Sequence, residues 1–291
     1  MVKYNKENLV QVAVKGEISP AVLGSGYKVK HDGEPFILPG VGGITYNVKI
    51  GDRVMSWAGD HVEPGVSIKI NNKEPKGANN ALNILSCIGN KAKVVSGDAK
   101  GAEGYVTGKH GGIEHVLVYF PDEVLHKLTI GDKIQIKAWG QGLTINDLPD
   151  IKVMNLSPEL FEKMPLDIKE GRLQVPVVAT IPPYLMGSGL GSYTASRGDY
   201  DLTTADIDVL KEYGLDKLRF GDIVALKDTD NRYGRCYRQG AISIGVVVHS
   251  NCLKAGHGPG ITTIFTAVSD MIKPVIDTKA NIANYLNIRS L

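Results

Sequence analysis

Side chains that could bind a metal ion are concentrated in the second half of the chain. His249, Cys252 and His257 stand close together beside a glycine-rich run. Two carboxylates, Asp228 and Asp230, come shortly before them. Imidazole, thiolate and carboxylate groups are the usual ligands of zinc-like ions. We therefore predict that these residues hold a divalent metal such as zinc, although their spacing matches no standard zinc signature. The alternative is that His257 and its neighbouring glycines only build a tight turn.

A second polar group lies in the first half, in a loop that contains Asp60, His61 and Glu63. We predict these three residues as catalytic. Either carboxylate could act as a general base, and His61 could act as a base or as a metal ligand. If this loop meets the histidine loop across a crevice, the two would form a metal-and-base site. The alternative is a surface turn that is polar only because it is solvated.

The glycine-rich run at 187–191 follows an apolar stretch, as a nucleotide-binding loop would. No Lys-Ser or Lys-Thr pair follows it, which excludes a P-loop, and no helical apolar pattern follows, which argues against a dinucleotide fingerprint. The remaining interpretation is a loop that covers a substrate, with Ser188, Ser192 and Tyr193 as hydrogen-bond donors.

Short strands must position these groups. The apolar stretches 223–227, 241–248 and 261–266 predict three strands whose ends carry the candidates of the second half. Reactive groups at strand ends and in tight loops are held by a rigid scaffold. The sequence therefore places the candidate site at the edge of a sheet.

A repeated glycine–aspartate pattern predicts turns that lead into strands. The order apolar, Gly, Asp, any residue, Val or Ile occurs at 50–54, 130–134 and 220–224. Glycine tolerates a positive φ and aspartate can bond its own backbone, so each copy predicts a tight turn. Residues 95–106 also resemble a KOW motif, the glycine-rich turn of SH3-like barrels.

Composition agrees with a glycine-rich globular protein. The 291 residues include 34 glycines, 43% are hydrophobic, and the formal net charge is +2. These values exclude collagen-like, coiled-coil, membrane-spanning and disordered classes. We predict a mostly β fold (β-rich α+β) of small β-barrel or sandwich-like units with a few short helices. The expected parts are residues 1–150, with an SH3-like barrel segment at about 88–142, and residues 151–291.

Partners and compartment follow from charge and cysteine content. Between residues 91 and 141 the positive and negative charges nearly balance, which argues against nucleic acid as a partner. Three widely spaced cysteines argue against a disulfide framework, and the start of the chain has no apolar signal region. We expect a cytoplasmic protein with no membrane segment that forms a homo-oligomer and binds a small-molecule substrate.

Two stretches carry a family resemblance. They are AGDHVEPGVSI at 58–68 and GRCYRQGAISIGVVVHSNCLKAGHGPGITT at 234–263. Through them the chain resembles, over nearly its full length, a prokaryotic family that is catalogued only as a domain of unknown function. The resemblance implies no activity, catalytic residue or cofactor. The glycine–aspartate turns and the late glycine-rich loop are also similar in style to acetamidases and formamidases, which are β-rich amide hydrolases.

Two functions from different classes remain open. The first is an enzyme acting on a small polar substrate, a divalent-metal-dependent and amidase-like hydrolase in which the metal activates water. The second is a non-enzymatic binding or assembly protein whose barrel contacts protein or RNA, with Lys100 and Lys109 as the RNA contacts. We favour the enzyme, because suitable ligands and bases gather at strand ends beside glycine-rich loops.

Overall fold

Strands form most of the regular structure, which confirms the mostly β fold class. The computed structural model describes residues 2–24, 26–71, 77–188 and 194–291. Among the described residues, no helix is long and apolar enough to cross a membrane. The cytoplasmic location and the homo-oligomer stay predictions.

The secondary-structure elements follow one another along the chain as strands separated by short helices. In the first part the strands are β1 (Val12–Ile18), β2 (Lys28–Val29), β3 (Pro35–Phe36), β4 (Ile44–Thr45), β5 (Gly65–Lys69), β6 (Lys91–Val94), β7 (Glu103–His110), β8 (His115–Tyr119) and β9 (Lys133–Ala138). In the second part they are β10 (Lys152–Val153), β11 (Asp167–Lys169), β12 (Arg172–Val177), β13 (Ala179–Ile181), β14 (Tyr200–Asp201), β15 (Ile223–Asp230), β16 (Cys236–Val247), β17 (Gly260–Ala267) and β18 (Ile272–Ile276). The helices described are α1 (Ala78–Leu85), α2 (Asp122–Leu125), α3 (Pro158–Lys163), α4 (Ile207–Glu212) and α5 (Ile282–Tyr285). Single 3₁₀ turns occur at Lys6–Asn8, Pro183–Leu185 and Leu215–Lys217.

Six antiparallel strands close into a barrel because β1 pairs with both β9 and β5. Around the barrel the order is β1-β9-β6-β7-β8-β5, and β4 pairs with the start of β5. In β6 and β9 the residues alternate between exposed and buried, so that Lys and Gln face water while Ala, Val and Ile fill the interior. Four of the six strands lie within the predicted segment 88–142, and β1 and β5 come from before it.

The second part is built on a sheet in the order β10-β17-β16-β15-β13, with β14 paired to β17. Strand β17 is buried along its whole length, and a three-stranded sheet, β11-β12-β18, accompanies this sheet. The main hydrophobic core combines Val54 and Leu117 of the first part with Val248 and Phe265 of the second. This shared core holds the barrel against the sheet.

The three glycine–aspartate turns have one structure. In each, the carboxylate accepts a hydrogen bond from the backbone N–H three residues earlier, at 2.8–2.9 Å, and the glycine has a φ of 87–94°. Strands β9 and β15 follow the second and third copies, as predicted. The prediction of a strand after the first copy is wrong, because the chain there bonds to the backbone of Leu218 and Phe220 instead of entering a sheet.

Lys109 lies inside the protein, in β7, and not on a surface that RNA could reach. Its Nζ donates hydrogen bonds to Asn155 Oδ1 at 2.6 Å and to the Ser196 carbonyl at 2.8 Å. Burial lowers the pKa of its ammonium group to about 8. The prediction that Lys109 contacts RNA is therefore wrong, whereas Lys100 is exposed.

A prediction concerns Asp222 in the third turn. Burial raises the pKa of its carboxyl to about 6, although Asn281 and the Arg219 N–H donate hydrogen bonds to it. Because the folded protein binds this proton more tightly than the unfolded chain, the stabilisation is complete below about pH 4 and is lost as the pH rises through 6. Relative to Asp222→Asn, we expect the wild-type free energy of unfolding to fall by up to roughly 3 kcal/mol over this range. Urea denaturation at each pH measures the difference, and a difference that stays flat or rises would contradict this assignment.

Candidate metal centre

Three strand ends of the second sheet bring polar side chains to one place. His249 lies just after β16, Gly260 begins β17, and Asp201 of β14 stands opposite Gly260 in the sheet. Alternate residues of an extended chain point to the same face, so Asp199 and Asp201 point the same way. Their carboxylates therefore face the imidazole of His249.

Gly260 leaves the space that these side chains use. A Cβ atom at this position would lie 2.0 Å from Asp199 Oδ2 and 2.2 Å from His249 Nε2. Real non-bonded atoms do not approach so closely, so any larger residue would displace one of the two groups. Gly260 is thus required because Asp199 and His249 occupy the space that a side chain would fill.

His249 is fully buried and has an oxygen atom at each ring nitrogen. Its Nδ1 lies 2.9 Å from the Ser250 carbonyl, and its Nε2 lies 2.8 Å from Asp199 Oδ2 and 3.5 Å from Asp201 Oδ1. Burial by itself would lower the pKa of this histidine, but the two carboxylates outweigh it and raise the pKa to about 10. The surroundings of Nε2 therefore favour positive charge.

The loop with Asp60, His61 and Glu63 packs on the residues that follow β16. The Ser250 N–H donates to the Val62 carbonyl at 3.0 Å, and the Val62 N–H donates to Ser250 Oγ at 2.8 Å. The two predicted loops therefore meet, which is the condition on which the metal-and-base site depends.

His61 lies between two carboxylates, and its backbone has a φ of 54°, which is rare for a side chain of this size. Its Nδ1 lies 2.9 Å from Asp60 Oδ1, and its Nε2 lies 3.7 Å from Asp201 Oδ2. Burial opposes the charged ring, but the carboxylates of Asp201 and Asp60 outweigh it and raise the pKa of His61 to about 12. For Asp60, burial is likewise outweighed by His61, Cys252 and Lys28, and its pKa is lowered.

Glu63 is a buried carboxylate with four donors around it. His110 and His115, which face each other across the β7–β8 hairpin, both direct Nδ1 at it, His115 at 3.0 Å. The Gly42 N–H donates to it at 2.6 Å, and the Ser67 hydroxyl donates as well. Burial would raise the pKa of Glu63, but the two histidines outweigh it and hold the pKa well below its usual range.

A close approach of β7 to the end of β16 brings the histidine rings together. Gly108 makes it possible, because a Cβ there would lie 2.4 Å from Val248 Cγ1. The ring of His110 lies 4.4 Å from that of His249, and the ring of His61 lies 5.0 Å from that of His249, between centroids. Imidazoles from three separate elements thus share one buried cluster.

The Nδ1 contacts of these three histidines resemble those of metal-bound imidazoles. Each uses Nδ1 for an oxygen acceptor, which is a carboxylate for His61 and His110 and a backbone carbonyl for His249. Histidines in metal sites commonly have such an acceptor at the ring nitrogen that does not bind the ion. In His249 the other nitrogen, Nε2, faces the carboxylates of Asp199 and Asp201. Three sets of side chains in the described residues have ligand atoms within 4.8 Å of one another: His61, His110 and His249; His61, Cys252 and His257; and Asp199, Asp201 and His249.

The cluster reaches solvent on the side of His257. The side chain of His257 is 25% exposed, and its Nδ1 lies 2.8 Å from Asp201 Oδ2. Cys252 is buried next to it. Lys28, which is exposed, forms an ion pair with Asp60. Predicted residues from both halves, namely Asp60, His61, Glu63, His249, Cys252 and His257, are therefore brought together.

Asp228 and Asp230 do not join this cluster, so the prediction that they are metal ligands needs correction. Strand β15 does not end at residue 227, as predicted, but continues through a bulge as far as Asp230. The positive φ of Asp228 directs its carboxylate to the Gly240 N–H at 2.7 Å. Asp230 pairs with Arg232 and lies near Arg238. Both carboxylates therefore serve the hairpin that extends β15 and β16.

Sequence reasoning missed His110, His115, Asp199 and Asp201. Their signals were two histidines on either side of a Gly-Gly turn and an Asp-x-Asp pair beyond the glycine run. An Asp-x-Asp pair in an extended segment places two carboxylates on one face, which is a metal-ligand pattern. Neither pattern shows which other elements lie opposite it, so the spacing of these residues in the sequence does not connect them with the other candidate residues.

The glycine run at 187–191 is described only in part, since residues 189–193 lie outside the described residues. Its base touches the site: the Gly187 N–H donates to the Asp201 carbonyl at 2.7 Å, and the Ser188 N–H donates to the Gly256 carbonyl at 2.5 Å. The covering-loop interpretation, including Ser192 and Tyr193, stays a prediction.

The fold and the site define a two-part β protein in which a six-stranded barrel and a mixed sheet enclose a cluster of histidines and carboxylates. The chain belongs to the family described as domain of unknown function DUF4438: the N-terminal model of that family matches residues 27–162, and the C-terminal model matches residues 163–286. The resemblance to a family of unknown function is thereby confirmed. The similarity to acetamidases and formamidases stays a prediction.

A solved structure shares both parts. The crystal structure of TM1086 has 52% sequence identity and a TM-score of 0.92 to this chain, and the match covers 98% of this chain and 99% of that one. A search of curated proteins finds none that matches.

The contacts of Glu63 generate a stability prediction. In Glu63→Gln an amide NH₂ group would face donors, and the two histidines would lose their shared charge partner. Breaking a buried pair of this kind costs about 3–5 kcal/mol, so we expect a loss of that size in chemical denaturation. Glu34→Gln, which removes an exposed partner of Lys30, is the matched control and should change little. Equal effects of the two substitutions would contradict the central role of Glu63.

Proposed function

We propose that this protein is a divalent-metal-dependent hydrolase that acts on a small polar substrate, with an amide or ester bond as the bond cleaved. The observation that carries the proposal is the set of three buried histidines, His61, His110 and His249, whose ligand atoms lie within 4.8 Å of one another while each Nδ1 contacts an oxygen acceptor. Asp199 and Asp201 supply carboxylate ligands beside them.

The ligand set favours a particular class of ion. Imidazole suits zinc, iron and similar transition metals, whereas magnesium and calcium prefer ligands that are all oxygen. The space left by Gly260 and the buried carboxylates around the cluster also support a bound divalent ion. A divalent ion here would polarise a substrate oxygen and lower the pKa of nearby water.

The side chains around the centre divide into positioning and reacting roles. Glu63 has every oxygen occupied by donors, so it orients His110 and is poorly placed as a base. Of the two carboxylates predicted as general base, Asp60 has fewer contacts, with His61 at Oδ1 and the half-exposed Lys28 at Oδ2. A pocket of about 30 Å³ borders Lys28 and Asp60, and this volume is enough for a water molecule.

Metal content tests the first half of the proposal. We expect the purified chain to hold a transition metal by elemental analysis. His249→Ala should lose it, because the variant removes a fully buried ligand between two carboxylates. His126→Ala is the matched control, since His126 is exposed and stacks on Tyr46. A metal-free wild-type chain that takes up no added zinc, cobalt or manganese would contradict the proposal.

Hydrolysis tests the second half on the same proteins. A panel of small amides and esters should be cleaved by wild type and by His126→Ala. Chelation should abolish cleavage, and the added metal should restore it. If the metal is bound but no member of the panel is cleaved, the hydrolytic part of the proposal is contradicted while the metal centre stands.

Gly260→Ala provides an independent prediction about the geometry. The added methyl group would meet Asp199 and His249, so we expect metal affinity to fall by at least roughly tenfold. The backbone of Gly260 does not have a positive φ, so alanine is compatible with the strand, and circular dichroism should show a folded chain. Gly234→Ala is the matched control, because a Cβ there has no neighbour within 4 Å. Equal metal affinity in both variants would contradict the conclusion that Gly260 leaves space for Asp199 and His249.

A further inference from the structure

Asp201 lies between two different sets of potential metal ligands. Its Oδ1 faces His249 Nε2 at 3.5 Å, and its Oδ2 faces His257 Nδ1 at 2.8 Å and His61 Nε2 at 3.7 Å. A carboxylate whose two oxygens face separate imidazoles has the orientation of a ligand that bridges two ions. A single ion would leave one of these faces without a cation.

The inner set belongs to the centre on which the proposed function rests, and His61 lies between it and the outer set, with its ring 5.0 Å from that of His249 and 5.4 Å from that of His257. Asp199 Oδ2 and Asp201 Oδ1 both face His249 Nε2, and the ring of His110 lies 4.4 Å from that of His249. The Gly111 N–H donates to the other oxygen of Asp199 at 2.7 Å, which fixes the direction of this carboxylate. Every member of this set is buried.

The outer set consists of His61, Cys252 and His257, whose ligand atoms lie within 4.8 Å of one another. The Nδ1 atom of His257 is buried and makes no aligned hydrogen bond, although Asp201 Oδ2 is only 2.8 Å away. Two ligand atoms on one small ion are separated by about 3 Å and point at the ion instead of at each other. This is the relation that His257 and Asp201 show.

We propose that the site holds two divalent ions bridged by Asp201, the second of them bound by His257, Cys252 and Asp201 Oδ2 with His61 beside it. The inference rests on the proposed function, from which it takes the first ion. A thiolate and imidazoles in the outer set favour zinc, cobalt or iron over magnesium and calcium.

The charge of the surroundings agrees with two ions. Four carboxylates, Asp60, Glu63, Asp199 and Asp201, are at most 6% exposed. The ion pair with Lys28 serves Asp60 alone. Two ions about 3.5–4 Å apart would hold the attacking water and an oxygen of the substrate beside each other.

The test counts ions on the full chain after chelation and dialysis. Cobalt(II) and zinc(II) are titrated by equilibrium dialysis with elemental analysis, and cobalt absorption reports a bond to the Cys252 thiolate. The variants are Cys252→Ser and His257→Gln. Cys236→Ser is the matched control, because Cys236 is an exposed free thiol. Circular dichroism of each variant verifies that it is folded.

We expect two ions per wild-type chain and a thiolate–cobalt band that Cys252→Ser removes and Cys236→Ser keeps. In Cys252→Ser and His257→Gln the second ion should bind at least roughly tenfold more weakly, and the first ion within about threefold of wild type. If each chain binds one ion, with the same affinity in wild type and in both variants, this inference is overturned and the proposed function is left intact. Two ions whose affinities are unchanged in both variants would overturn the placement of the second ion at His257 and Cys252. A chain that binds no ion would overturn the proposed function as well.

Discussion

Negative charge is buried where the barrel meets the second sheet, and it constrains how the two parts pack. Carboxylates removed from water are tolerated only when donors or cations surround them. Glu63 meets this demand with two histidines, a backbone N–H and a hydroxyl. Asp199 and Asp201 meet it through His249, His61 and His257. These partners come from several elements, so the charge is compensated only when both parts are in place.

Glycines make this convergence possible by removing side chains from the points of closest approach. A Cβ at Gly40 would lie 2.4 Å from the Asp60 carbonyl, and one at Gly108 would lie 2.4 Å from Val248. A Cβ at Gly260 would occupy the space of Asp199 and His249. The high glycine content therefore has two sources: turns such as the glycine–aspartate copies, which need positive φ, and close contacts around the histidine cluster, which need space.

Local features could be predicted from the sequence, and the pairing of distant segments could not. The alternation in β9 and the turn at Gly131 follow from residue types within a few positions. The histidine and aspartate loops were recognisable because their residue types are those of reactive sites. Asp228 and Asp230 misled the prediction, since a bulge in β15 carries the strand past them. His110 and Asp199 could not be connected to the site, because only the packing of β7 on β16 and the pairing of β14 with β17 place them there.

The same packing explains why the barrel belongs to the site although it carries few of the predicted residues. The hairpin of β7 and β8 holds His110 and His115 on Glu63, and Glu63 in turn directs the Nε2 of His110 toward the cluster. Lys109, the neighbour of His110, ties β7 to the segment before Asp199 through the Ser196 carbonyl. The barrel therefore fixes the direction of the His110 and His115 side chains, and such fixed orientation is what the proposed metal site would require.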